Sequence, residues 1–188
     1  MKKHNFTLVE ILGVVALIVI LMVISAGVYT YASNSAKEKA TQATITRVYN
    51  ALQLLQDKGM LKVTKSGSEV KYSTLTVDAG NTKLSFDSNS NSMDSKAYKL
   101  FIKAVDGESL NSILDDQNRI CDAWGQPLYI CFPGKFNKGG IDIISAGGDG
   151  GFGECADSSL NDNNGKAKEI KYKDDDGDLI CDDISNFF

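Results

Sequence analysis

The side chains able to do chemistry crowd into the last quarter of the chain. From Ile141 to Phe188 there are ten Asp and two Glu against four Lys, interleaved with glycine. Carboxylates at that density need water or cations around them. Asp174, Asp176 and Asp178 begin like an EF-hand loop. However, Leu179 stands where such a loop needs Gly, and Ser185 where it needs Glu. They stay a secondary candidate for a calcium loop of another kind. The glycines between 147 and 153 have no lysine among them and sit beside carboxylates, which disfavours phosphate. Four cysteines, Cys121, Cys131, Cys155 and Cys181, lie in the same half of the chain. An even number in a segment facing an oxidising compartment reads as disulfides, with three connectivities open. The favoured pairs are Cys121–Cys131 across a turn and Cys155–Cys181 around a polar loop. Each would contribute about 2–4 kcal/mol by restricting the unfolded chain. Zinc fits poorly, because there is no Cys-x-x-Cys and His4 is the single histidine. That shortage also removes most histidine-based catalysis. No serine stands in a nucleophile elbow, so an enzyme is not expected.

The elements that must position these residues follow from composition and period. The chain has 188 residues, a formal charge of −4 and 43% hydrophobic residues. That suits one modest domain and argues against disorder or a nucleic-acid partner. After the basic start Lys2-Lys3-His4, residues 11–36 carry no charge, and up to Val28 they are almost wholly apolar. About 20 such residues in a helix cross a bilayer, with the lysines cytoplasmic and the rest of the chain outside. A secretory signal cleaved near Ser25-Ala26-Gly27 is the alternative, which would leave an exported calcium-binding domain. Two features oppose cleavage there. Glu10 at the mouth of the apolar run calls for a partner, because a carboxylate at bilayer depth costs about 2.5–3.5 kcal/mol. The helical period also continues, through Ile45, Val48, Leu52 and Leu55 with Lys37, Lys39, Arg47 and Gln53 between them. One long helix is expected to Lys58, with Gly59 as its C-cap.

Beyond it, Val70–Val77 and Lys83–Phe86 predict a hairpin, and residues 87–92 a polar loop. A short helix is expected from Asp94 or Ser95 to Val105. Leu128–Phe132 and Ile141–Ser145 predict strands, and Trp124 a core anchor. The expected class is α+β.

Phe6-Thr7-Leu8-Val9-Glu10-Ile11-Leu12 resembles the N-terminal motif of type IV pilins and of the pseudopilins of type II secretion. Asp122-Ala123-Trp124-Gly125-Gln126-Pro127, Pro133-Gly134, Ser145 to Gly150 and Asp182-Asp183-Ile184-Ser185-Asn186-Phe187 are similar to the C-terminal half of the major pseudopilin. There the forms are D-P-W-G, P-G, S-x-G-x-D-G and D-D-I-x-N-W. The likeness covers about residues 6–58 and 121–188, with 155–181 as an insertion, and leaves out 60–120.

The resemblance implies a pilin-like fold with a leader at 1–5 and a membrane and filament-core helix at 6–30. An amphipathic continuation would follow at 31–58 and a globular domain at 59–188. It implies cleavage by a prepilin peptidase between Asn5 and Phe6, then methylation of Phe6. It implies pairing of Glu10 with the Phe6 amine of a neighbouring subunit in a helical homo-oligomer. It further implies an inner-membrane assembly platform and minor pseudopilins as partners, and a single-pass start in a bacterial inner membrane before a periplasmic filament. One calcium ion would be held by Asp149, Asp182, Asp183 and the Ala146 carbonyl. Asn5 departs from the family's glycine before the cleavage site, and Gly27 from its frequent proline.

Overall fold

The computed structural model describes residues 8–61, 71–78, 80, 83–86, 89–105, 110–137, 139–152 and 183–187. Two compact units divide the chain, Met1–Ala36 and Lys37–Phe188. Helix α1 is Leu8–Asp57. In the first unit its apolar side chains find nothing to cover them. Every large one from Leu8 to Tyr31 is between 46% and 79% exposed. This segment is long and apolar enough to cross a membrane. Helix continues through Gly27, so the weak helix-forming residue does not break it. Ser25 and Thr30 donate their hydroxyls to the carbonyls of Leu21 and Gly27 at 2.7 and 2.9 Å. Their polar atoms are thereby satisfied without water, as a lipid or subunit environment demands.

In the second unit the stripe read from the sequence is the core. Ile45, Val48, Leu52 and Leu55 are at most 1% exposed. Each such side chain contributes about 1.5–3 kcal/mol on burial. The helix stops in a Schellman turn. Gly59 adopts φ +66° and donates to Gln56 O at 2.9 Å, while Met60 donates to Leu55 O at 2.9 Å. Met60 packs on the core that contains Leu55.

Among the described residues six strands form one antiparallel sheet: β1 (Tyr72–Val77), β2 (Leu84–Phe86), β3 (Asn89–Met93), β4 (Tyr129–Cys131), β5 (Asp142–Ser145) and β6 (Ile184–Ser185). Their order is β3-β2-β1-β4-β5-β6. The two halves of β1 pair in different directions. Tyr72 to Thr74 meet Cys131 to Tyr129 of β4, whereas Leu75 to Val77 meet Phe86 to Leu84 of β2. Leu75, Val77, Ile130, Ile141 and Ile143 face a core shared with the second half of α1 and with helix α2 (Ser95–Val105), which contributes Ala97, Phe101 and Val105. Tyr72, Cys131, Ile144, Ala146 and Phe152 form a smaller cluster on the other side, as strand alternation requires. The fold is thus α+β and pilin-like.

The expected hairpin is β1–β2, and the expected short helix is α2. Asp94 caps α2 by accepting from the amides of Lys96 and Ala97 at 3.0 and 2.9 Å. Two expectations need correction. The polar stretch expected as a loop contains β3, paired to β2 with a register shift between Ser85 and Phe86. Ser and Asn are poor strand formers, but an edge strand needs mainly backbone pairing. Trp124 is half-buried in its turn and belongs to neither apolar cluster. The anchor of that turn is Asp122 instead.

Candidate functional site

Two regions carry the residues singled out by sequence. At the N-terminus, Asn5 and Phe6 lie outside the described residues. Glu10 is exposed in the first turn of α1, the end at which the helix dipole favours a carboxylate.

The second region is the end of the sheet where β5 leads into a glycine turn. Two sections of chain distant in sequence build it. Ile144 pairs with Ser185 and Ser145 with Ile184, so the next facing positions of the ladder are Ala146 and Asp183. The turn that follows has Gly147 at φ +64° and Gly150 at φ +74°, conformations open to glycine. Within it Asp149 Oδ1 accepts from Gly151 N–H at 2.7 Å. Phe152 then folds onto the outer face of the sheet, its ring edge-on to Tyr129 with centroids 5.4 Å apart. Asp183 and Ile184 also line a shallow groove of about 350 Å³ with Glu38, Lys39 and Gln42 of α1.

Of the expected calcium set, the fold brings the Ala146 carbonyl, Asp149 and Asp183 to one end of the sheet. Carboxylate and carbonyl oxygens are the hard donors calcium takes. Asp182 lies outside the described residues, as do Asp174, Asp176 and Asp178. Among the described residues no group of three or more His, Cys, Asp or Glu side chains gathers as a metal centre.

The Cys121–Cys131 pairing needs correction. Cys121 and Cys131 are buried free thiols, and the expected link between them is not formed. The Cys121 thiol lies 3.5 Å from Arg119 O, and the Cys131 thiol 3.6 Å from Pro133 O. Cys131 belongs to the outer cluster beside Tyr72 and Ile144. Burial, reinforced by the charge of Asp115, pushes the Cys121 thiol up to about 12. Burial and the charge of Asp142 do the same for Cys131, also to about 12. Both are therefore inert thiols at neutral pH. Cys155 and Cys181 lie outside the described residues.

Three further residues organise this end of the sheet: Asn186 and Asp122, which stand in the motifs quoted above without a role assigned to them, and Asp142. Asn186 gives and takes hydrogen bonds like an extra piece of strand. Its Oδ1 accepts from Ile143 N at 2.7 Å and its Nδ2 donates to Ile141 O at 2.7 Å. Asp142, fully buried in β5, accepts from the amides of Phe136 and Asn137 at 2.8 and 2.9 Å and thereby shapes the loop after Pro133. Asp122 holds the Trp124 turn by accepting from the amides of Trp124 and Gln126 at 2.8 and 2.9 Å. Thr41 of α1 accepts from Ala123 N at 3.1 Å, tying that turn to the helix. An Asp opening a Gly-containing turn is a legible signal for such a role. Asn186 stands in a motif of the resemblance, but nothing local in sequence announces its clamp, because its partners are more than forty positions away.

Comparison with known proteins finds a relative by sequence. A 90-residue stretch is 28% identical to "Prepilin peptidase-dependent protein A" of Clostridium perfringens (strain 13 / Type A), covering 44% of this chain and 64% of the relative. The chain therefore matches somewhat less than two thirds of that protein's length. No family model matches the chain, and no solved structure matches it. The chain is similar to a protein named for its dependence on prepilin peptidase, and it carries an apolar N-terminal helix suited to a membrane anchor.

Proposed function

We propose that this chain is a structural subunit of a pilin-like filament. Prepilin peptidase trims it, a membrane holds it by the first part of α1, and that same segment packs against its neighbours in the filament core. The observation carrying this reading is the first unit itself. It is a helix with every large apolar side chain exposed from Leu8 to Tyr31, which demands either lipid or copies of itself. The name of the Clostridium relative supports the peptidase as a partner. Glu10 is assigned the register contact, accepting the ammonium of Phe6 from the adjacent subunit. A buried carboxylate without such a partner would cost several kcal/mol. Catalysis has no part in this reading.

The finer assignment is a subunit of the type II secretion pseudopilus, working in the inner membrane with an assembly platform and minor pseudopilins. It is supported by the order of motifs from Asp122 to Phe187. On this assignment a calcium ion binds Ala146 O, Asp149, Asp182 and Asp183, and ties β6 to the glycine turn. The second reading, a type IV pilin of a surface filament, is favoured by residues 71–105. These build β1, β2, β3 and α2, all outside the pseudopilin likeness.

The test is electron microscopy of cells co-expressing the chain with a prepilin peptidase and assembly platform. Wild type is expected to give helical filaments, and Glu10→Ala a stable, correctly folded protein that does not polymerise. Normal filaments from the variant would refute the role of Glu10. Filaments carried outside the cell without any effect on protein export would favour the pilin reading over the pseudopilin one.

A further inference from the structure

Helix α2 is amphipathic, and its outer side carries one sign of charge. Ala97, Phe101 and Val105 are buried, whereas Lys96, Lys99 and Lys103 are exposed. At about 3.6 residues per turn the two sets fall on opposite sides of the helix. No acid stands within α2; the nearest in sequence lie beyond its ends, at Asp94, Asp106 and Glu108. Among the described residues none of the three lysines joins an ion pair. α2 begins two residues after β3 and packs beside it, at one edge of the sheet.

The other edge is acidic. β6 forms it, with Asp183 just before its first residue and exposed Asp149 in the neighbouring glycine turn. Exposed Glu38 of α1 lines the groove beside Asp183. With twelve acids against four lysines from Ile141 to Phe188, this end stays acidic even with a divalent cation bound. Six strands about 4.8 Å apart put the two edges roughly 24 Å from each other. The Debye length at physiological salt is about 8 Å. Within one copy the two charged edges are therefore screened from each other, and a second copy is what brings them together.

We infer that the Lys96, Lys99 and Lys103 face of α2 docks on the acidic β6 edge of a second copy of this chain. Two different surfaces meet, so each copy gives one and receives the other. Repeated, such a head-to-tail contact builds an open helical array instead of a closed dimer. Opposite charges at the two edges also set direction, because like edges repel. The inference rests on the filament reading proposed above and adds to it a contact between the second units.

The test treats filaments of the full chain, from cells co-expressing prepilin peptidase and assembly platform, with a water-soluble carbodiimide. That reagent joins a lysine to a carboxylate where the two touch. Dimer bands are cut from a denaturing gel, and the linked peptides are identified by mass spectrometry. Links from Lys96, Lys99 or Lys103 to Glu38, Asp149 or Asp183 are expected. Salt at about 1 M, where the Debye length is about 3 Å, should suppress them. The combined variant Lys96→Gln, Lys99→Gln and Lys103→Gln should lower filament yield about tenfold, the worth of three modest ion pairs. Arg at the same three positions, which keeps the charge, should restore it. Dimer bands in which the α2 lysines are linked elsewhere or not at all would overturn the contact while leaving the filament reading intact. The same holds if these lysines are linked only within the monomer band, or if the glutamine variant gives full filament yield. Wild-type cells without filaments would overturn both readings. Should the glutamine variant fail to fold, the wild-type links decide.

Discussion

Asn186 does the work of a missing length of strand, since its side chain bonds both sides of Ile143's neighbourhood in β5. Asn186→Ala should destabilise the full chain by about 2–4 kcal/mol, because it removes two bonds and strands a buried amide and carbonyl. Urea unfolding followed by circular dichroism measures this, and a loss below half a unit of that scale would show the clamp to be idle. Gly134 is needed for room rather than for its backbone angles. A Cβ there would lie 2.5 Å from Asp142 Oδ1 and 2.8 Å from Asn137 O. Asp115 is a carboxylate that the fold holds below its ordinary pKa. Burial works against its ionisation, but the Arg119 amide and guanidinium and the Gln117 amide outweigh it and lower its pKa. A lowered folded-state pKa means that the stabilisation is complete above the unfolded value of about 3.9 and is lost as pH falls through the folded one. Asp115→Asn should therefore flatten the acid end of the stability curve, read as thermal midpoints from about pH 5 to about pH 2. An unchanged slope would exclude Asp115 as the sensitive group.

At the scale of elements, the second half of α1 was legible because Ile45, Val48, Leu52 and Leu55 recur at helical spacing and all four are buried. Its end was legible in Gly59, whose Schellman turn closes the last carbonyls. Gly59→Ala should cost about 1–2 kcal/mol through backbone strain alone, since nothing lies within 4 Å of the added Cβ. Thermal unfolding checks it, and no change in midpoint would deny the strain. The β1–β2 hairpin and α2 were legible for similar reasons of alternation and capping. Strand β3 was not, because Ser and Asn carry no apolar period and its place comes from the backbone edge that β2 offers. Trp124 misled because size alone suggested a core residue. The turn it occupies is held instead by the Asp122 carboxylate.

For the whole molecule, the apolar first unit and the carboxylate at its head were plain from sequence. So were the residue types at the end of β5 and β6. The juxtaposition of Ala146 with Asp183 was implied by the family resemblance alone, whereas the buried Asp122–Ser145 link depends on a contact between distant segments and could not be read along the chain. The Cys121–Cys131 pairing failed for a related reason. Separation in sequence allowed a Cys121–Cys131 bridge, whereas the fold gives each thiol its own buried surroundings. Both thiols should resist iodoacetamide in the native chain at neutral pH and react fully once unfolded, with the modified peptides located by mass spectrometry. Rapid native labelling at either position would contradict their burial. The most direct measurement of the filament reading is mass spectrometry of the N-terminal peptide from native material. The account predicts a mature chain that begins at an N-methylated Phe6 and retains the apolar helix. A mature chain beginning after Ala26, with that helix gone, would contradict it.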